Sequence, residues 1–147
     1  MSETHPTLRL VSKRCLTLEL VKAMALAAEA EALHNHWKVS IAIVDDGANL
    51  LYLERLDGAQ IASAEVALGK ARTAMRYKRP SKALEEAVNG GRTSLVAVAG
   101  ITPLQGAVPI FYDGEIIGAI GVSGVLPTQD EQIALAGANQ LAQLLGR

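Results

Sequence analysis

The middle of this chain carries basic residues at a spacing that could bind an acid. Lys70 and Arg72 fall within a predicted helix, Arg79 follows it, and Arg92 comes later. Lysine and arginine bind carboxylates, and an arginine can hold one through two parallel hydrogen bonds. A solvated helix face would explain the same residues. The solvated face is the usual explanation of such a set, but the small and apolar neighbours of Lys70 add support for a partly covered carboxylate site.

Three aspartates are the candidates for moving protons: Asp45, Asp57 and Asp130. A carboxylate can act as a general base when it lies close to a substrate. The alternatives are turn formation for Asp45 and Asp57 and the first turn of a helix for Asp130. Ser123 ends a predicted strand, where it either lines a pocket or forms a turn. For each aspartate taken alone the structural interpretation is favoured, whereas both interpretations stay open for Ser123.

Histidines cluster once, in the run His34-Asn35-His36. An imidazole can ligate a metal or haem iron, which makes His34 and His36 weak candidates for an axial ligand. The alternative is a polar helix end, where a histidine meets the negative end of the helix dipole. No further ligand stands at the spacing of a metal site, and this favours the helix end.

Composition excludes several classes of protein. The formal net charge is −1, which argues against nucleic acid or an anionic membrane as the main partner. Cys15 is the only cysteine, so the sequence has neither a disulfide framework nor a paired-thiol site. We expect no signal segment and no membrane span, and therefore a cytoplasmic location. The neutral, alanine-rich character favours a homo-oligomer.

One hairpin is predicted at the centre of the fold. Two apolar runs flank Asp113-Gly114, a dipeptide typical of tight hairpin turns. The second run, residues 116–122, has no charge and is expected to be covered on both faces. Its glycines, Gly118 and Gly121, are unusual inside a strand, and Gly124 follows it. They indicate a close approach of a helix, another backbone or a flat ligand.

The remaining elements are predicted around this hairpin. In chain order they are a helix over 16–37, strands over 39–44 and 50–55, helices over 62–78 and 81–88, a strand over 94–99, and a final helix starting at 128. Thr17, Ser63 and Ser81 are the expected caps, and the pattern T-x-x-E at 128–131 predicts a capping box. Residues 1–14 are expected to form a loose arm, or a short strand over 8–10, on a single domain of 1–147.

Hairpins dominate this order, so the predicted class is α+β, with an antiparallel sheet of about five strands flanked by helices. Conventional catalytic motifs such as a P-loop, H-E-x-x-H or G-x-S-x-G are missing.

Six stretches together resemble the GlcG/HbpS family, also called the haem-degrading or DUF336 family, and GlcG-like members most of all. They are VDDG at 44–47, RLDGA at 55–59, KARTA at 70–74, GAVPI at 106–110, GAIGVSG at 118–124 and QDE at 129–131. The resemblance implies a profilin-like fold with a central five-stranded sheet, and oligomers from dimers upward. It also implies haem binding in some members and roles in small organic acid catabolism in others. The family usually has Gly-Gly before its Val-Pro-Ile stretch, where this chain has Ala107.

Three functions follow as hypotheses. The first is a small-ligand-binding protein with haem as the best named ligand, bound near the central hairpin. Its expected ligand-binding residues are Arg55, Lys70, Arg72, Arg79, Val108, Pro109 and Ser123. The second is an enzyme acting on a small hydroxy, oxo or unsaturated carboxylic acid, with Lys70 polarising an oxygen and Asp45, Asp57 or Asp130 moving protons. The third is an oligomeric accessory subunit.

Overall fold

A computed structural model describes residues 6–146. Its helices are α1 (Leu18–His34), α2 (Ser63–Tyr77), α3 (Ser81–Asn89) and α4 (Pro127–Leu145), with a short 3₁₀ helix at Thr93–Ala97. Its strands are β1 (Ser40–Asp45), β2 (Leu50–Arg55), β3 (Ala107–Tyr112) and β4 (Glu115–Ser123). The predicted α+β class and antiparallel sheet are confirmed.

The sheet has four strands among the described residues, in the order β2-β1-β4-β3, with every neighbouring pair antiparallel. The prediction of five strands was wrong because residues 94–99 do not pair with the sheet. Most of that stretch is exposed, and its backbone closes on itself through bonds such as Val98 N–H to Leu95 O. A short alternation of valine and small residues is compatible with a β-strand or with a helical turn. It forms a strand only where a neighbouring strand has backbone groups free to pair with it.

The central hairpin forms as predicted. Asp113 and Gly114 both have positive φ angles, 51° and 80°, which is what a tight two-residue turn between twisted strands requires. β4 lies between β1 and β3 and is buried over most of its length. The predicted close approach also occurs, since a Cβ atom on Gly121 would collide with the backbone of Ala67 and Ala71 in α2.

Helices cover both faces of the sheet. One face packs α1 and α4 over a core of larger aliphatic side chains, including Met24, Ile41, Ile120 and Ile133. The opposite face packs α2 over a layer of mostly alanine residues. Small side chains let a helix lie close to a sheet, so α2 sits directly on β4 and β1.

The start of α1 is capped as predicted, whereas the start of α4 is not. Thr17 caps α1 as expected, because its Oγ1 accepts a hydrogen bond of 3.3 Å from the Leu20 N–H. The capping box predicted at 128–131 is wrong. α4 begins one residue earlier, and Gln129 accepts the Leu126 N–H at 3.2 Å. Proline favours the first helical position, which moves the start of α4 to Pro127.

The two expected serine caps bond to the sheet side of the fold instead. Ser63 lies within α2, and its Oγ is 2.7 Å from the Oγ of Ser40 on β1. Ser81 lies within α3 and accepts the Ala107 N–H at 3.0 Å. Both hydroxyls are buried, so they satisfy polar groups of neighbouring elements rather than the free N–H groups of their helices.

Residues 6–15 have no regular secondary structure and are exposed. The first five residues of the predicted arm lie outside the described residues. Within 6–146, no helix combines the length and apolar character needed to cross a membrane.

We predict that Gly121→Ala destabilises the protein by about 1–3 kcal/mol, because a methyl group there displaces α2 from the sheet. Gly90→Ala is the matched control, since Gly90 is exposed at the end of α3 with an ordinary φ of −79°. Urea unfolding at equal protein concentration measures both. Equal midpoints for the two variants would contradict close packing at Gly121.

Candidate functional site

Lys70 and Asp130 form a buried ion pair where the helix layers of the two sheet faces meet. The Lys70 Nζ lies 3.0 Å from Asp130 Oδ2 and donates a second hydrogen bond, also 3.0 Å, to the Val122 carbonyl of β4. Lys70 is 3% exposed and Asp130 is 2% exposed. The pair therefore joins α2, α4 and the end of β4.

Gly106 makes room for this pair. Its φ of 141° suits glycine, and a Cβ atom there would lie 2.7 Å from the Lys70 Nζ. The adjacent Gln105 is held by two carboxylates: its N–H donates to Glu85 at 3.0 Å, and its side-chain amide donates to Glu131 at 2.9 Å. The loop before β3 is thus fastened over the ammonium group.

Opposing effects act on the Asp130 carboxyl. Burial raises the pKa of Asp130, whereas the Lys70 ammonium and the Val125 N–H, 3.1 Å from Oδ1, lower it. Burial is the largest of these effects, so the net direction is upward. The carboxylate depends on Lys70 for compensation of its charge.

A groove runs along the outer edge of β3, between the α2–α3 connection and α4. Its volume is about 790 Å³. Arg79 lines it together with Val108 and Pro109, so three of the predicted ligand-binding residues meet here. The apolar part of the lining includes Phe111 and Leu135, which are exposed on its surface.

Lys78 completes the cationic end of this groove. It ends α2 in the left-handed conformation, with φ 52°, and stands next to Arg79. Asn139 of α4 lines the same groove and adds an amide. The lining also contains Asp113, whose carboxylate pairs with Arg14 at 3.7 Å. The groove thus combines two cations with an apolar surface, which suits a ligand that has both a carboxylate and a hydrophobic body.

Other predicted residues lie at the β1–β2 turn. Asp45 accepts the N–H groups of Gly47 and Asn49, each at 2.9 Å, which is the turn interpretation of this residue. Arg72 is half-buried and donates its Nε–H to the Ala48 carbonyl at 3.3 Å. The Asp45 bonds close the turn, and the Arg72 bond joins it to α2.

The turn is remote from the buried ion pair. Asp45 lies opposite Gly118, four residues before Val122 on β4, a separation of roughly 13 Å along the strand.

At the opposite end of the sheet, Arg55, Ser40 and Ser123 lie in register across β2, β1 and β4. Arg55 is exposed and Ser123 is half-buried. Asp57 follows β2 and lines a cavity of about 340 Å³ together with His36.

His34 is the exposed last residue of α1, and His36 follows it with a φ of 59°. Among residues 6–146, no group of three or more histidine, cysteine or acidic side chains is arranged to hold a metal ion.

A second set of ionisable groups, separate from the Lys70–Asp130 pair, consists of Tyr52 and Glu54 of β2 and Glu29 of α1. Burial raises the pKa of Glu54, and the nearby Glu29 carboxylate of α1 raises it further. Burial also raises the pKa of Tyr52, with both carboxylates adding to the effect. The Oε1 atom of Glu54 is buried and has no hydrogen-bond partner among the described residues.

Comparison with known proteins identifies the family. The profile described as "Haem degrading protein HbpS-like" matches residues 16–139. This chain belongs to the HbpS-like family. Protein GlcG of Escherichia coli K12 is 45% identical over 112 residues, covering 76% of this chain and 84% of GlcG.

Two solved structures share the fold. A double mutant of Streptomyces reticuli HbpS superimposes with a TM-score of 0.84 and 33% identity, covering 95% of this chain and 98% of HbpS. The crystal structure of a PduOC–haem complex gives a TM-score of 0.79 and 25% identity, covering 86% of this chain and 94% of the other.

Sequence reasoning missed several residues that shape these sites in the HbpS-like chain. Lys78 and Phe111 line the groove, and Gln105 holds the loop whose next residue, Gly106, lies against the Lys70 ammonium. The Lys78-Arg79-Pro80 run was a usable signal, because a basic pair between a helix end and a proline is fixed in position. Ala107 lies buried opposite Gly121, so its methyl group belongs to the alanine layer under α2.

We predict that Lys70→Met lowers the free energy of unfolding by about 3 kcal/mol at pH 7, because it leaves the Asp130 carboxylate buried without its cation. Loss of the ammonium raises the folded-state pKa of Asp130 further. The variant therefore loses stability as the pH rises from the pKa of this carboxyl in the unfolded chain to its higher pKa in the folded chain. Acidification protonates the carboxyl, so it reduces the difference in unfolding free energy between the variant and the unmodified protein. Urea unfolding between pH 4 and pH 8 measures it.

Two variants control this experiment. Lys70→Met combined with Asp130→Asn removes the buried charge and should remove the pH dependence that Lys70→Met introduces. Lys82→Met breaks the solvent-exposed ion pair with Glu86, 3.8 Å apart, and should cost less than about 0.5 kcal/mol. An unchanged unfolding curve for Lys70→Met would show that the buried pair does not stabilise the fold.

Proposed function

We propose that this HbpS-like protein binds a small carboxylate-bearing ligand, with haem as the best named candidate, in the groove along β3. The observation that carries the proposal is the pairing of Lys78 and Arg79 with an apolar groove lined by Phe111 and Leu135. Haem has an apolar ring and two propionates on one edge. Its shape and charge therefore suit a groove with cations at one end.

The volume of the groove, about 790 Å³, is in the range of sites for ligands of this size. Lys78 and Arg79 would hold the propionates, and Phe111 would contact the ring face. The described lining contains no imidazole or thiol, so it assigns no axial ligand to iron. Bound haem would supply a redox-active iron, and the residues of this chain would hold and orient the ring.

The relatives support the choice of haem. The family profile names haem degradation, and one structural neighbour, PduOC, was crystallised as a haem complex. The name GlcG specifies no ligand. A role in small organic acid catabolism, a homo-oligomer and a cytoplasmic location stay predictions.

The enzymatic hypothesis is less favoured by the geometry. Lys70 would have to reach a substrate oxygen, but its ammonium group donates to Asp130 and Val122 beneath a fastened loop. Asp45 holds the β1–β2 turn, and Asp57 lines a separate cavity with His36. The accessory-subunit hypothesis, in which alanine-rich helices serve mainly as an interface, stays a prediction.

We predict a saturable Soret shift when purified protein is titrated with haem, weakened roughly tenfold or more by Arg79→Ala, since a charge-assisted hydrogen bond contributes about 1.5–3 kcal/mol. Arg76→Ala is the matched control, because Arg76 is an exposed arginine in the last turn of α2, three residues before Arg79, and lines a different cavity. Absorbance titration measures both affinities.

Two further probes distinguish the contribution of the propionates to haem affinity from that of iron ligation. Haem dimethyl ester lacks free propionates, so Arg79→Ala should leave its affinity unchanged. His34→Ala and His36→Ala test iron ligation at the end of α1. Because neither histidine lines the groove, a Soret change lost in one of them would identify an axial ligand and place the haem outside the groove. Absence of saturable binding would remove haem as the ligand, and equal losses for Arg76→Ala and Arg79→Ala would remove the groove as its site.

A further inference from the structure

Residues 6–14 form an arm whose apolar side chains stand in water. Leu8 is 91% exposed, Leu10 is 99% exposed and Val11 is 85% exposed. Such values mean that these side chains contact almost nothing in their own chain. Three neighbouring apolar residues with this exposure are unusual in a soluble fold and mark an interaction segment.

The base of the arm is fixed. Arg14 lies over the Tyr112 ring at 4.9 Å and pairs with Asp113 at 3.7 Å. Lys13 pairs with Asp46 in the β1–β2 turn at 2.7 Å. The arm therefore crosses the end of the sheet from β3 towards β2, and the residues before Lys13 extend from that point. Seven extended residues reach roughly 23 Å.

The two edges of the sheet are not equally protected. β3 carries Pro109, which has no N–H to offer to another strand, and the groove along it is bordered by α4. β2 pairs only with β1, so its outer backbone groups are free of strand partners among the described residues. Residues 50–53 of β2 contain neither proline nor charge. An edge of this kind readily accepts an added strand.

The side chains of β2 alternate in character across the sheet. Leu53 lies opposite Ala42, and Leu50 opposite Val44, so both leucines lie on the α2 face, where they are 38% and 43% exposed. On the other face, Tyr52 and Glu54 lie opposite Ile43 and Ile41. Glu54 and Glu29 make that face acidic.

The arm has the matching alternation. Leu8 and Leu10 would share one face of an extended strand, and Arg9 and Val11 the other. An antiparallel register that places Leu10 opposite Leu53 also places Arg9 opposite Glu54 and Val11 opposite Tyr52. Leu10 and Val11 then meet side chains with apolar surface, and the arginine meets the carboxylate.

We propose that the arm adds as an antiparallel strand to the β2 edge of a second copy of this chain, with Leu10 opposite Leu53 and Arg9 opposite Glu54. The second copy returns its own arm to the first, which gives a closed two-fold dimer. Main-chain hydrogen bonds supply affinity, and the alternating side chains set the register.

Cysteine cross-linking between two differently tagged chains tests this proposal. Cys15→Ser removes the only native cysteine, and one chain then carries Leu10→Cys while the other carries Leu53→Cys. After co-expression and oxidation, we expect a disulfide-linked heterodimer that contains both tags. Leu104→Cys replaces Leu53→Cys in the control, because Leu104 is similarly exposed at 43% but lies in the loop before β3.

Charge reversal provides a second, independent test. Arg9→Glu should lower the dimer affinity several-fold in sedimentation velocity, and Arg9→Glu with Glu54→Arg should restore it. Failure to form the heterodimer, equal cross-linking to Leu104→Cys, or no rescue by the charge swap would overturn the proposal. Placing both cysteines in one chain and obtaining only an intrachain bond would also overturn it.

Discussion

The fold depends on a buried ammonium group at the end of the central strand. Lys70 comes from the helix on one face of the sheet and Asp130 from the helix on the other, and the Lys70 ammonium donates to both the Asp130 carboxylate and the Val122 carbonyl. A charged pair in this position tolerates no displacement, because either partner alone is costly to bury. It therefore fixes α2 and α4 relative to β4, while Gly106 and Gln105 close the loop above it.

Close packing is the second constraint, and it explains the unusual composition. Gly121 and the alanine layer allow the backbone of α2 to lie against β4, so little space remains for a ligand between them. The larger side chains are placed under α1 and α4 instead. The groove consequently forms at the edge of the sheet, beside β3, where Lys78 and Arg79 follow the end of α2.

The candidate site residues lie in separate parts of the fold because they contact different helices and strands. Arg79, Val108 and Pro109 share the groove, whereas Lys70 and Asp130 are enclosed by the core. Asp45 and Arg72 hold a turn near the base of the arm. A single site would require the basic residues of α2 to lie on the same side of the helix. Residues two positions apart in a helix point in different directions, so Lys70 and Arg72 do not share a site.

Most of the elements, the family and the hairpin at Asp113-Gly114 could be predicted from the order of residues, because they depend on local backbone preferences and on periodicity. Gly121 could likewise be recognised as a point of close approach. Three outcomes required the folded chain: residues 94–99 stay outside the sheet, Lys70 pairs with Asp130, and Lys78 and Phe111 share a groove with Arg79. They depend on contacts between residues far apart in the chain, and local propensity carries no information about such partners.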